Sequence, residues 1–193
     1  SAAASASGTH VLSGINHIGL GANPREYASN RIDTLYVRKN SDASPAYNSV
    51  VTGIHNASGG NSISIFKNKI SHLIPYASTN ASIARGIWIA GGATTTSTFH
   101  NNMIELDMTQ AFDGAIGTSL VGSDAIRGFD ISTGSAGPIN IYYNTIEIAG
   151  SGTGTSFGSS AFSVNNATPS ILFKNNALIN RSTPGGTTPG FTV

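Results

Sequence analysis

Ile139-Asn140-Ile141-Tyr142-Tyr143-Asn144-Thr145-Ile146 reads apolar-x-apolar-x-x-Asn-x-aliphatic, and the phrase recurs three more times. The other copies are Ile63-Ser64-Ile65-Phe66-Lys67-Asn68-Lys69-Ile70, Ser97-Thr98-Phe99-His100-Asn101-Asn102-Met103-Ile104 and Ile171-Leu172-Phe173-Lys174-Asn175-Asn176-Ala177-Leu178. A second phrase precedes each copy: Thr52-Gly53-Ile54-His55-Asn56, Arg85-Gly86-Ile87-Trp88-Ile89, Arg127-Gly128-Phe129-Asp130-Ile131 and Ser160-Ala161-Phe162-Ser163-Val164. The key asparagines are Asn68, Asn102, Asn144 and Asn176, and the Gly/Ala slots before them are Gly53, Gly86, Gly128 and Ala161. The spacing between copies varies, yet the offset from slot to asparagine changes by no more than one position. Two phrases locked together through four copies mark a structural repeat.

Alternation with period 2 means short strands with every second residue on one face. A third strand follows each key asparagine, as in Ile104-Glu105-Leu106 and Ile146-Glu147-Ile148. No window carries the i, i+3, i+4, i+7 stripe of a helix. Three short strands with one apolar face each cannot bury that face alone, whereas stacked repeats share a core. The fold class expected is therefore all-β: a parallel solenoid of three short strands per coil and about five coils.

Upstream, Ile18-x-Leu20-x-x-Asn23 and Leu35-x-Val37-x-x-Asn40 both resemble the phrase. They stand too close together for both to belong to full coils, and the interval from Asn40 to Asn68 is nearer to those between the later copies. The reading takes Asn40 as the repeat member and Asn23-Pro24 as a turn. One domain is expected, with 1–34 as an irregular N-terminal coil or cap, 35–183 as repeats and 184–193 as a tail. The chain opens without Met and reaches Gly190-Phe191-Thr192-Val193, where another strand could begin. It reads as a piece of a longer polypeptide.

The pattern resembles the right-handed parallel β-helix of the pectin-lyase-like superfamily. Asn68, Asn102, Asn144 and Asn176 resemble the inward asparagine ladder that those proteins place at one bend. An amide has the donors and the acceptor to satisfy backbone groups that a bend leaves unpaired. The coil style of Tyr142-Tyr143-Asn144-Thr145-Ile146 and Asn175-Asn176-Ala177-Leu178-Ile179-Asn180-Arg181-Ser182 resembles β-helix regions of large secreted bacterial cell-surface proteins, including type IX secretion cargo. The resemblance spans roughly residues 35–183.

Composition bounds the function. Charged residues are 10% of the chain, against roughly 25% in an ordinary soluble protein, while Ser, Thr and Asn abound. Hydroxyls and amides solvate such a surface, as is common in exported β-rich proteins. The net charge of +1 has no basic run behind it, so nucleic acid is not an expected partner. No apolar run reaches the roughly 18 residues of a membrane span. With no cysteine, disulfide scaffolds, thiolate metal sites and thiol catalysis are excluded.

The superfamily includes polysaccharide lyases and hydrolases, so the resemblance directs attention to carboxylates. Its Asn-Thr-Asp, Asp-Asp and Gly-His-Gly signatures are absent. The best pair is Glu105 and Glu147, each at the third position past a key asparagine and so expected to stack outward on adjacent coils, with Asp107 nearby. They form either a weak acid site, relieved by a bound cation or a raised pKa, or two solvated glutamates. No cofactor is indicated, although calcium is the cation such carboxylates would suit. The outward slot of the first strand carries His55, Trp88, Asp130 and Ser163. Trp88, the only tryptophan, is a candidate sugar platform unless the loop around Phe112 covers it. Arg85 and Arg127 share one slot and either pair with Asp124 or Asp130 or meet an acidic glycan. Phe66, His100, Tyr142 and Lys174 form a column read as structural, and His72 falls in an inward slot. The longest insertion, 107–123, is a further place for a site, since insertions in solenoids cluster on the binding face.

These readings lead to a non-catalytic β-helical segment of an exported bacterial surface or extracellular protein: a stalk, adhesin or assembly module. Its partners would be glycans or neighbouring coils and subunits. The alternative is a polysaccharide lyase or hydrolase, or a carbohydrate-binding β-helix.

Overall fold

The structure, a computed structural model, describes residues 9–18, 23–37, 48–57, 59–60, 62–75, 83–91, 94–109, 125–132, 137–152, 157–165 and 170–183. The first coil is β1 (Thr9–His17), β2 (Arg25–Ala28) and β3 (Arg31–Tyr36). The second is β4 (Asn48–Asn56), β5 (Ile63–Phe66) and β6 (Lys69–Ile74). The third is β7 (Ile83–Ile89), β8 (Ser97–His100) and β9 (Met103–Asp107). The fourth is β10 (Ile126–Ile131), β11 (Ile139–Tyr142) and β12 (Thr145–Ala149). The fifth is β13 (Ser159–Val164), β14 (Ile171–Lys174) and β15 (Ala177–Asn180). Each strand pairs in parallel with its equivalent one coil away, giving three five-stranded sheets. This is the five-coil parallel β-helix expected from the repeats.

The core is built of columns. Ile54, Ile87 and Phe129 stack inside the first sheet, Ile65, Phe99 and Ile141 inside the second, and Ile70, Ile104 and Ile146 inside the third, all essentially inaccessible. Phe99 meets Phe129 edge to face, with centroids 5.0 Å apart. Burying one such side chain contributes about 1.5–3 kcal/mol, and the stacked coils share that burial. The Gly slot follows from this packing. A Cβ on Gly128 would lie 2.3 Å from Ile146 Cγ2 and 2.5 Å from the Ala161 carbonyl oxygen. Alanine occupies the slot in the fifth coil, where the facing residue is Leu178, without a γ branch at Cβ.

The first coil lies in the stretch read as irregular. β2 pairs with β5 so that Tyr27 faces Ile65 and Ala28 faces Phe66, which brings Asn30 level with Asn68. Asn30, rather than Asn40, is the first member of the ladder, and Asn40 lies outside the described residues. Arg25 fills the first apolar slot of this copy, which hid it.

Each ladder asparagine is preceded by a residue in the left-handed region: Ser29 (φ 58°), Lys67 (56°), Asn101 (55°), Tyr143 (59°) and Asn175 (53°). This conformation makes the bend tight and disfavours residues with a Cβ, asparagine least. Lys67→Asn is therefore expected to stabilise the fold by about 0.5–1 kcal/mol, read as a rise in the denaturation midpoint with an unchanged slope.

His72 departs from the inward position expected of it. Its φ is 51°, as Thr34 has 59° at the equivalent place, and its side chain is 45% exposed. The register between β6 and β9 runs Lys69–Met103, Ile70–Ile104, Ser71–Glu105 and stops. Leu73 and Leu106 are then both fully buried, so the second coil holds one extra residue. That is a β-bulge, and it turns the bulged side chain outward.

Candidate functional site

The first-sheet register places Asn16, His55, Trp88, Asp130 and Ser163 in one outward column. Ser13, Thr52, Arg85, Arg127 and Ser160 form the column beside it. The bend at the Gly slot brings the two columns together. Trp88 stacks on His55, with centroids 4.0 Å apart and planes 11° from parallel. Arg85 Cζ sits 4.0 Å from the indole centroid, and Trp88 Nε1 donates to Ser132 Oγ at 2.6 Å. The His55 and Asn16 side chains are bonded through Nδ1 and Oδ1 at 2.9 Å.

Both arginines converge on a single oxygen. Asp130 Oδ2 lies 2.8 Å from Arg85 Nε and 2.8 Å from Arg127 Nη1. Asp130 is wholly inaccessible, and the arginine side chains are only 10% and 7% exposed. Of the two carboxylates proposed for the arginines, Asp130 is the one they meet, while Asp124 lies outside the described residues. An ion cluster this buried survives only with its charges paired. The indole, for its part, is half-buried and carries an imidazole and a guanidinium against its ring. His55 Nε2, Thr52 Oγ1 and Asp130 Oδ1 are buried with no hydrogen-bond partner among the described residues.

Glu105 and Glu147 are direct neighbours across the third sheet, as the spacing required. The charge that relieves their repulsion is Arg181, two positions past the Glu147 partner Ile179, whose guanidinium grips Glu147 Oε1. Glu105 remains exposed. Asp107 faces Ala149 and accepts the Thr109 backbone N–H at 2.8 Å, a local Asx turn. Beyond Thr109, the 107–123 loop lies outside the described residues. Among the described residues no group of three or more His, Cys, Asp or Glu side chains is placed to hold a metal ion.

The ladder runs the length of the coil. Each asparagine N–H and Nδ2 donate to the Oδ1 of the next: Asn30 to Asn68, Asn68 to Asn102, Asn102 to Asn144 and Asn144 to Asn176. The Asn68, Asn102 and Asn144 side chains also reach the backbone carbonyls of Tyr27, Ile65 and Phe99 one coil back. On the outer side of the same bend, Phe66, His100 and Tyr142 stack at 4.9 and 5.2 Å with planes within 12°. Lys174 is in register with Tyr142.

One polar cluster was not anticipated. Asp33 Oδ1 lies 2.7 Å from His72 Nδ1 and accepts Ser71 Oγ at 3.1 Å, with Arg31 3.2 Å from Oδ2. The hydrogen bond from His72 holds the Asp33 carboxyl down at about 2, with Ser71 and Arg31 assisting against the cost of burial. His55 is shifted down as well, first by burial and then by the Arg85 charge.

Both shifts make the protein acid-sensitive. In each case the unfolded chain binds its proton at higher pH than the native one, so stability falls as pH falls. His55 acts below about 6.5, its unfolded value, and Asp33 from about 3.9 down through about 2. Denaturation midpoints are expected to drop in both windows. His55→Phe, which keeps a ring on Trp88, flattens the first, and Asp33→Asn flattens the second.

Comparison with protein-family models, with curated proteins and with solved structures finds no match.

Proposed function

We propose that this chain is a non-catalytic β-helical segment of an exported bacterial surface or extracellular protein, serving as stalk, adhesin or assembly module. The observation that carries the reading is the fate of the chain's few charges. Asp130, Arg85 and Arg127, three of the binding candidates, are sunk into a cluster that ties the third coil to the fourth. The ladder and the Phe66–His100–Tyr142 stack likewise run coil to coil. Such investment in axial cohesion suits a spacer. A surface of hydroxyls and amides agrees with export. Within parallel β-helices, the repeated phrases favour kinship with the pectin-lyase-like superfamily and with the β-helix regions of type IX secretion cargo.

The second reading, a glycan-active β-helix, has one observation in its favour: Glu105 stands exposed in register with Glu147. Interstrand spacing sets such a pair about 5 Å apart at the backbone, in the range of the two carboxyls of a retaining glycosidase. A glycan array and polysaccharide-cleavage assays separate the two readings. A stalk or assembly module is expected to show neither saturable binding nor cleavage, and saturable binding lost in Trp88→Ala would narrow the reading to an adhesin. Cleavage lost in the Glu105→Gln/Glu147→Gln double variant would overturn it.

A further inference from the structure

The junction between the first and second coils is held differently on its two sides. On the first sheet, β1 meets β4 through polar pairs: Ser13 faces Thr52, Asn16 faces His55 and His17 faces Asn56. His55 Nδ1 and Asn16 Oδ1 are 2.9 Å apart, and the Ala57 N–H donates to the His17 carbonyl at 2.9 Å. On the third sheet, Asp33 of β3 takes hydrogen bonds from His72 and Ser71 of β6. At the bend beside it, the Lys69 N–H donates to the Asn30 carbonyl at 2.9 Å, and Asn30 joins the ladder through Asn68.

Acid weakens the first of these sides. Asn16 Oδ1 is an acceptor, so the proton of the neutral His55 ring sits on Nδ1 and Nε2 presents a lone pair. His55 is 8% exposed, and its Nε2 is buried with no hydrogen-bond partner among the described residues. A second proton would place a charged N–H in that dry position. No neighbouring element relieves it. From β7 come the Trp88 ring against its face and the repelling Arg85 guanidinium. Beyond them, Asp130 of β10 is engaged by Arg85 and Arg127. β1 brings Asn16 and His17 to the register and contains no carboxylate. The ring therefore gains its proton where water reaches it, in an opened state.

The third-sheet side holds through the same change. His72 Nδ1 donates to Asp33 whichever charge the ring carries, and Ser71, Thr34 and Arg31 reach the same carboxylate. Lys69, in register with Arg31, adds a second positive charge beside it. The neighbouring junction holds too. Trp88 packs on His55 at 4.0 Å, is tied to Ser132 and is flanked by Arg85, so β4 stays with β7. Against that, the contact of His55 with β1 is one hydrogen bond to a residue that is itself exposed.

We infer that this junction is an acid-opened hinge: protonation of His55 parts β1 from β4 on the first sheet, while the Asp33 contacts and the asparagine ladder keep the two coils joined at the bend and third sheet. A solenoid permits such an opening because each coil is held by its nearest neighbours alone. The window follows from the two groups. Burial, and then the Arg85 charge, hold His55 below its ordinary value, so opening takes up a proton and is favoured as pH falls below about 6.5. Asp33, held down at about 2, keeps the hinge side closed until far stronger acid.

Native-state hydrogen exchange at about pH 7 and about pH 5, on either side of the ordinary histidine value and corrected for intrinsic rates, tests this on three amides. The Ala57 N–H should lose about tenfold or more of its protection in acid, since one proton taken up on opening gives up to about tenfold per pH unit. The Lys69 N–H, on the hinge side, should keep its protection. So should the Ala90 N–H, which donates to the Asn56 carbonyl at 2.8 Å across the next junction. His55→Phe should abolish the response of Ala57, with protected Lys69 and Ala90 amides certifying its fold. Asn16→Ala, at an exposed position, should lower Ala57 protection already at neutral pH. Equal protection of Ala57 at the two pH values overturns the proposal. So does a joint loss at all three amides, which would mean global unfolding, a response that survives in His55→Phe, or an Ala57 amide indifferent to Asn16→Ala.

Discussion

Asp130→Ala is expected to lower the unfolding free energy by about 3–5 kcal/mol, the cost of removing one partner from a buried ion cluster. The magnitude rests on burial. Asp130 is fully inaccessible, and the two guanidiniums that share its Oδ2 at 2.8 Å are nearly so. Removing the carboxylate leaves two like charges close together in a poorly solvated place. Asp130→Asn keeps the shape and loses the charge, so it should fall between the unaltered protein and Asp130→Ala. The companion experiment replaces all three with apolar residues of similar volume, Arg85→Met, Arg127→Met and Asp130→Leu. That triple variant should recover most of the loss, because the cluster is costly to break and of little net worth intact. Chemical denaturation at neutral pH gives each value. A triple variant no more stable than Asp130→Ala would mean that the arginines are needed for contacts other than the shared carboxylate.

The second large effect lies in the ladder. Asn102→Ala removes four side-chain hydrogen bonds: two that Oδ1 accepts from Asn68 N–H and Nδ2, and two that Nδ2 donates to the Ile65 carbonyl and Asn144 Oδ1. Asn176→Ala also removes four: two accepted from Asn144, and two donated to the Ile141 and Lys174 carbonyls. The difference is water. Asn102 is 2% exposed, so the groups it abandons stay dry, and each unsatisfied buried group costs about 1–3 kcal/mol. Asn176 is half-buried at the last coil, where water takes over the lost bonds. Asn102→Ala should therefore cost about 3 kcal/mol or more, and Asn176→Ala about 1 kcal/mol. Equal losses at the two sites would show that bond count, rather than desolvation, sets the worth of a rung.

The architecture was legible because a solenoid writes itself into the sequence repeatedly. Two phrases at a fixed offset gave strand number, coil number, the ladder and the outward column of His55, Trp88 and Asp130. The first coil escaped because the phrase was sought by its apolar slots, and Arg25 stands in one of them. The offset would have found it, since Gly14 precedes Asn30 by the same interval that separates Gly86 from Asn102 and Gly128 from Asn144. His72 was misplaced because strict alternation cannot see a bulge. One residue with positive φ shifts the phase of everything after it, and only the burial of Leu73 reveals the step. Arg181 was not paired with Glu147 because the contact is diagonal between coils, two positions off the direct register. Burial itself was the least legible property. The outward slot of the first strand reads as a place for a ligand, yet His55 and Asp130 in it are buried. Strand periodicity says which side of the sheet a residue is on and nothing about what lies over that side.

The bend asparagines belong to the core although they sit between strands, and native-state hydrogen exchange of their backbone amides tests this most directly. The Asn68, Asn102 and Asn144 N–H groups donate to Oδ1 of the next rung at 3.1, 3.0 and 2.9 Å. They should exchange only through global unfolding, as slowly as the amides of Ile65 and Ile141 in the flanking strands. Exchange of these three at the rate of an exposed turn, while the strand amides stay protected, would contradict the account.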